Sequence, residues 1–127
     1  MPRYLNPPMV PRPTSRCSQA VALSGAYKRV IVSPQYGLDG GVAEQMATAF
    51  DHFLAVVAAA GCEPRDVVKM TCYCVEKGHG ALFDAIRETR LGTAAPACGY
   101  FEVAGLANPA ARVAIEGEAV QENAPSR

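Results

Sequence analysis

Glu116 and Glu118 stand two positions apart in Val113–Val120, a segment rich enough in β-branched residues to read as a strand. Strand residues two apart share a face, and paired carboxylates can divide acid and base work when their surroundings separate their proton affinities. The alternative for Glu118 is a solvated side chain or a partner at a subunit edge. Cys98, Tyr100 and Glu102 alternate in the same way, as a set that lines a cleft or packs an interface. Cys72 and Cys74, with His79 soon after, have the look of zinc ligands but lack a second matched pair. Packing in the core is the simpler account of those two thiols, and no metal is expected. His52 falls among outer positions of a helical pattern, so a solvated histidine is expected there. Arg87 and Arg90, the cations of a second helix, either turn a positive charge toward the site or are simply solvated, as charged helix faces usually are.

Those residues need elements to hold them. Val42, Met46, Ala49, Phe50, Phe53, Leu54 and Val57 recur at three- and four-residue steps, which predicts an amphipathic helix closed by Gly61 and Glu63-Pro64. Leu82, Phe83, Ile86 and Arg90 predict a shorter helix between Gly80 and Leu91, with Arg87 and Glu88 on its outer side. Ala20–Leu23 and Lys28–Val32 flank the turn-like Ser24-Gly25-Ala26 and predict a hairpin. Further strands are expected over Asp66–Val75, Gly99–Val103 and Val113–Val120. The order β-β-α-β-α-β-β predicts an α+β sandwich, both helices on one face of a mixed sheet. Too few elements remain to cover the other face, so a homo-oligomer is expected to bury it.

Before these elements lies a proline-rich arm, residues 1–15, with prolines at 2, 7, 8, 11 and 13; it cannot be helical and is expected to lie extended. The domain proper is expected over 16–122, followed by a tail at 123–127. Twelve basic and twelve acidic side chains balance to zero, without the basic footprint that nucleic-acid binding leaves. The longest mostly apolar stretch, Phe53–Cys62, falls well short of the roughly 20 residues of a membrane helix. Neither nucleic acid nor membrane is an expected partner. Five cysteines, an odd number without a signal peptide, point to reduced thiols and a cytoplasmic location.

Five segments together resemble the RidA/YjgF family: Val30–Gln35, Ala58–Gly61, Asp66–Thr71, Pro96–Cys98 and Ala114–Val120. The resemblance runs from about Arg16 to Gln121. It implies a chorismate-mutase-like fold, a trimer with its sheets packed into a central barrel, and ligand pockets in the clefts between subunits. Typical members hydrolyse enamines and imines to carbonyl compounds and ammonia, without metal or organic cofactor. Ribonuclease activity has been attached to some members, but the neutral charge argues against it here.

The carry-over also exposes departures. The family's Pro-Ala-Arg motif, whose arginine grips the substrate carboxylate, reads Pro96-Ala97-Cys98, followed by Gly99 and Tyr100 as further expected ligand contacts. A thiol offers one weak donor where a guanidinium offers a charged fork, so the usual 2-imino acids are not the expected substrates. A pocket tyrosine is replaced by Cys17 and an asparagine by Asp84, while Ser-Gly-Gln becomes Ser33-Pro34-Gln35. Ser33 and Glu116 match the family's pocket serine and its water-activating glutamate. Cys98 and Cys17, both at pocket positions, read either as a nucleophile or redox-active pair, or as small side chains filling a drifted pocket. Two functions follow: a hydrolase adding water to a C–N compound through Glu116, or a non-catalytic metabolite-binding or thiol-bearing stress protein.

Overall fold

Val42, Met46, Ala49, Phe50, Phe53 and Val57 form one buried stripe along helix α1, Val42–Ala59, as their spacing requires. Gly61 follows at φ +82°, a left-handed conformation that glycine adopts without a Cβ penalty, and Pro64 opens a 3-10 turn over Pro64–Asp66. The computed structural model describes residues 2–11 and 17–122; the expected tail 123–127 and the expected boundary after residue 15 lie outside them.

Among the described residues six strands and a second helix complete the order: β1 Arg3–Leu5, β2 Ala20–Ala22, β3 Tyr27–Tyr36, β4 Val67–Cys74, α2 Gly80–Leu91, β5 Ala97–Glu102 and β6 Val113–Glu122. Four of them form a mixed sheet in the order β3-β6-β4-β5, antiparallel except for the parallel pair β4 and β5. A parallel neighbour needs a crossover, and α2 supplies it. The architecture is the expected α+β one, two helices on a mixed sheet.

Strand alternation sorts the side chains. Met70, Cys72 and Cys74 of β4, with Val113, Ile115 and Ala119 of β6, join the core beneath the helices. The ring of Phe83 on α2 lies 5.6 Å from that of Phe50 on α1 and 5.9 Å from that of Tyr100 on β5, tying both helices to one sheet face. Lys69, Thr71, Tyr73 and Glu116 hold the intervening positions and face the other way. Ile31 and Phe101, 69% and 55% exposed, belong to that open face. Gly117 sits where β6 meets β4 beside an irregularity between Val67 and Lys69, and a Cβ there would fall 2.1 Å from the Lys69 carbonyl oxygen.

Three expectations are corrected. The hairpin joining Ala20–Leu23 to Lys28–Val32 does not form: β2 pairs with β1, and β3 pairs with β6, whose ten residues match its own ten. The proline-rich arm is not extended throughout its described residues: Arg3-Tyr4-Leu5, free of proline, retains the backbone donors that a ladder needs and forms β1, but Pro7–Val10 turns, the Val10 amide donating to the Pro7 carbonyl at 3.1 Å. Asn6 Oδ1 extends this pairing by accepting the Gln19 amide at 3.0 Å. Arg87 is not on the outer side of α2 but wholly buried, since it lies four residues from both Phe83 and Leu91 on the stripe that actually packs inward.

Candidate active site

The open face of the sheet carries a cavity of about 370 Å³ over strands β4, β5 and β6. Its centre is a row across three strands: Thr71 is in register with Glu116 on one side and with Gly99 on the other. Gly99 leaves that row open, and a Cβ there would meet the Phe101 ring at 2.8 Å. Lys69, Tyr73, Ala97, Cys98 and Phe101 complete the lining. The rings of Tyr73 and Phe101 stack at 6.1 Å and form one wall.

Glu116 is half-buried, and its Oε2 accepts the Tyr73 hydroxyl at 2.6 Å, a short charge-assisted bond. The same bond, ahead of burial, raises the Tyr73 pKa above its ordinary value of 10.0. Among the described residues only Oε2 is so engaged, which leaves Oε1 to a water or ligand. A carboxylate fixed at one oxygen and open at the other can take a proton from water beside a bound electrophile.

Cys98 contributes to the cavity wall, but its side chain packs toward the core, in hydrogen-bond contact with Cys17 and 3.6 Å from the Pro96 carbonyl oxygen. Contact with Cys17 and burial push its pKa far up, so at neutral pH it is a thiol, the weaker nucleophilic form. Behind it on the helix side lies Arg87, whose Nη2 stands 3.3 Å from Asp84 Oδ1 and whose charge partly offsets that rise. A guanidinium is therefore present near position 98, supplied by the helix rather than the strand, and lies outside the cavity lining.

Of the expected site residues, Glu116, Cys98 and Gly99 meet at one cavity, whereas Ser33, Cys17, Asp84 and Tyr100 do not line it. Ser33 is exposed at the register shift between Val32 and Gln35, where Pro34 has no amide to donate. Asp84 partners Arg87, and Tyr100 turns its ring to Phe83 and its hydroxyl to Glu102 at 3.4 Å. Cys17 precedes Ser18, which bridges to Ala97 on the outer edge of β5. Glu118 pairs with Arg29 at 2.7 Å, while exposed His52 sits 2.9 Å from the Tyr36 carbonyl oxygen through Nδ1. Cys72 and Cys74 are core residues, and burial holds the Cys72 thiol up at about 12. No three of His, Cys, Asp and Glu cluster as metal ligands would among the described residues.

Sequence reasoning did not single out Lys69, Thr71 or Tyr73. The signal was available: these are the polar members of the alternation whose other members are Met70, Cys72 and Cys74.

Among the described residues no helix is long and apolar enough to cross a membrane. The family model described as endoribonuclease L-PSP matches residues 9–121. The chain is 32% identical over 119 residues to the 2-iminobutanoate/2-iminopropanoate deaminase of Rattus norvegicus, covering 82% of this chain and 86% of that protein. It superposes with a TM-score of 0.79 on YyfB from Yersinia pestis, a Rid-family protein of unknown function, at 25% identity over 93% of this chain and 97% of the other. RidA from an Antarctic Psychrobacter shares the fold at a TM-score of 0.68 and 24% identity, over 92% of this chain and 98% of its own. A match along most of the chain, a deaminase relative at nearly full length and a common fold lead to one assignment: the chain belongs to the RidA/YjgF family.

Proposed function

We propose that the protein is a small-molecule hydrolase of the deaminase type, adding water to an imine, or to the imine tautomer of an enamine, at the open-face cavity. The observation that carries this reading is Glu116, braced at 2.6 Å by Tyr73 beside a cavity of about 370 Å³. Glu116 takes a proton from water as the water oxygen bonds to the imine carbon, and the C=N electron pair moves to nitrogen, which gains a proton. The resulting carbinolamine loses its hydroxyl proton and expels ammonia, leaving the carbonyl compound. The rat relative is named for such a deamination, which supports the reaction class.

The substrate is a compound other than the usual 2-imino acids. Cys98 stands where the family's carboxylate-binding arginine is expected, and truncating a buried charged clamp costs about 2–5 kcal/mol. Lys69 remains in the lining, but an ammonium is a point charge without a guanidinium's bidentate fork. The site is completed in a homotrimer, in which neighbouring copies cover Ile31, Phe101 and the rest of the open face. Free cysteines suit a reducing, cytoplasmic setting.

The test is ammonia release from imines generated in place by an amino-acid oxidase and by an amine oxidase, so that carboxylate-bearing and carboxylate-free substrates are compared. Acceleration is expected with the latter, and Glu116→Gln should lower the rate about 100-fold while leaving the fold intact. Preference for the carboxylate-bearing imines would overturn the substrate assignment. The lost arginine also supports a second reading, a metabolite-binding protein without turnover. Saturable binding of small carbonyl or imine compounds, undiminished in Glu116→Gln and without acceleration in any assay, would establish it.

A further inference from the structure

The segment that enters β2 is fastened to the outer edge of β5. Ser18 and Ala97 form a parallel bridge, the Ser18 amide donates to the Pro96 carbonyl at 3.0 Å, and the Ser18 hydroxyl donates to the Ala95 carbonyl at 2.6 Å. In a parallel pair the flanking residues turn to the opposite face from the bridging pair. Cys17 precedes this bridge on its segment and Cys98 follows it on β5, so they lie diagonally across it on one face, each half-buried, and their thiols interact. The other three cysteines are placed differently: Cys62, Cys72 and Cys74 are buried.

We propose that Cys17 and Cys98 form a reversible disulfide on exposure to a peroxide, clasping the segment before β2 to strand β5 at the cavity wall. Cys17 attacks the peroxide oxygen, the O–O bond breaks, and water leaves as Cys17 becomes a sulfenic acid. Cys98 sulfur then attacks the Cys17 sulfur, expelling the hydroxyl as a second water once it gains the Cys98 proton. Two thiols thus lose two electrons and two hydrogens to one peroxide. Cys98 takes the second role by position: its sulfur interacts with Cys17 against the core, and the Arg87 charge nearby favours the thiolate as it forms. A single bridge rather than a long ladder holds Ser18, so the disulfide requires residue 17 to move along β5 from its place beside Pro96 toward Cys98.

The inference is independent of the hydrolase reading, since it needs no turnover. The test treats the reduced full-length protein with hydrogen peroxide, then digests it with trypsin without reductant. Cleavage at Arg16, Lys28, Arg90 and Arg112 isolates Cys17 in peptide 17–28 and Cys98 in peptide 91–112. The expected product is these two peptides joined with the loss of two hydrogens, separated again by dithiothreitol. In Cys98→Ser the Cys17 sulfenic acid should accumulate and be trapped by dimedone, whereas in Cys17→Ser position 98 should remain a thiol. Oxidation confined to sulfinic and sulfonic acids, a link through Cys62, Cys72 or Cys74, or a link only between separate molecules would overturn the proposal. The wild-type peptide map decides the matter even if a serine variant does not fold.

Discussion

Tyr73 sets what Glu116 can do. Its phenol occupies Oε2 at 2.6 Å and fixes the carboxylate's direction, so Tyr73→Phe should leave the protein folded but cost roughly 10-fold in kcat, with a smaller change in KM. A second prediction concerns alkali. The Cys72 thiol has a folded pKa of about 12 against 9.0 unperturbed, raised first by burial and then by Cys74. A group whose folded pKa is raised supports the fold fully below its unfolded value, and that support is lost as pH climbs through the folded one. Stability measured by urea unfolding should therefore fall between about pH 9 and 12 by roughly 1.4 kcal/mol per unit from this thiol alone. Cys72→Ala, though less stable overall, should have a flatter alkaline limb; an unchanged slope would refute the assignment. At this scale Glu116 was legible from the family resemblance, and the strand period added only that it shares a face with Glu118. Arg87 was not, because arginine is rarely buried whole and its place on the stripe depended on which side of α2 met the sheet.

Elements make the residue geometry possible, and Gly117 is the point of least tolerance. With a Cβ 2.1 Å from the Lys69 carbonyl, Gly117→Ala must push β6 from β4 next to both Glu116 and the cavity. The expected cost is about 2–3 kcal/mol in urea unfolding, together with loss of the Glu116 contact to Tyr73. An alanine variant as stable as the parent would show that the strands separate there at no cost. Both helices were legible from periodicity, α1 also from the cap glycine Gly61, and α2 to its end residues, Gly80 and Leu91. The hairpin was not. Gly25 does turn the chain at φ +87°, but a turn signal names no partner, and Ala20–Ala22 found one seventeen residues upstream at Arg3–Leu5. Likewise the missing amide of Pro34 was visible in the sequence, whereas its consequence, a break in register with β6 between Val32 and Gln35, required the neighbouring strand.

For the whole molecule, the open face presents Ile31 at 69% exposure and Phe101 at 55%, apolar side chains that the proposed assembly would cover. Sedimentation should find a species of three chains of 13.4 kDa each, and Ile31→Glu should shift it toward single chains that unfold more readily. A wild-type monomer at micromolar concentration would dismiss the assembly. The sheet order β3-β6-β4-β5 has one more implication. The strand nearest the C-terminus, Val113–Glu122, sits between β3 and β4 and joins two parts of the chain that otherwise share no ladder. During synthesis the β4-α2-β5 unit can dock as it emerges, and β3 and α1 can pack on each other, but the two parts cannot be joined in one sheet until the last strand appears. Such late closure makes ribosome-bound chains stalled before Val113 natural clients for chaperones.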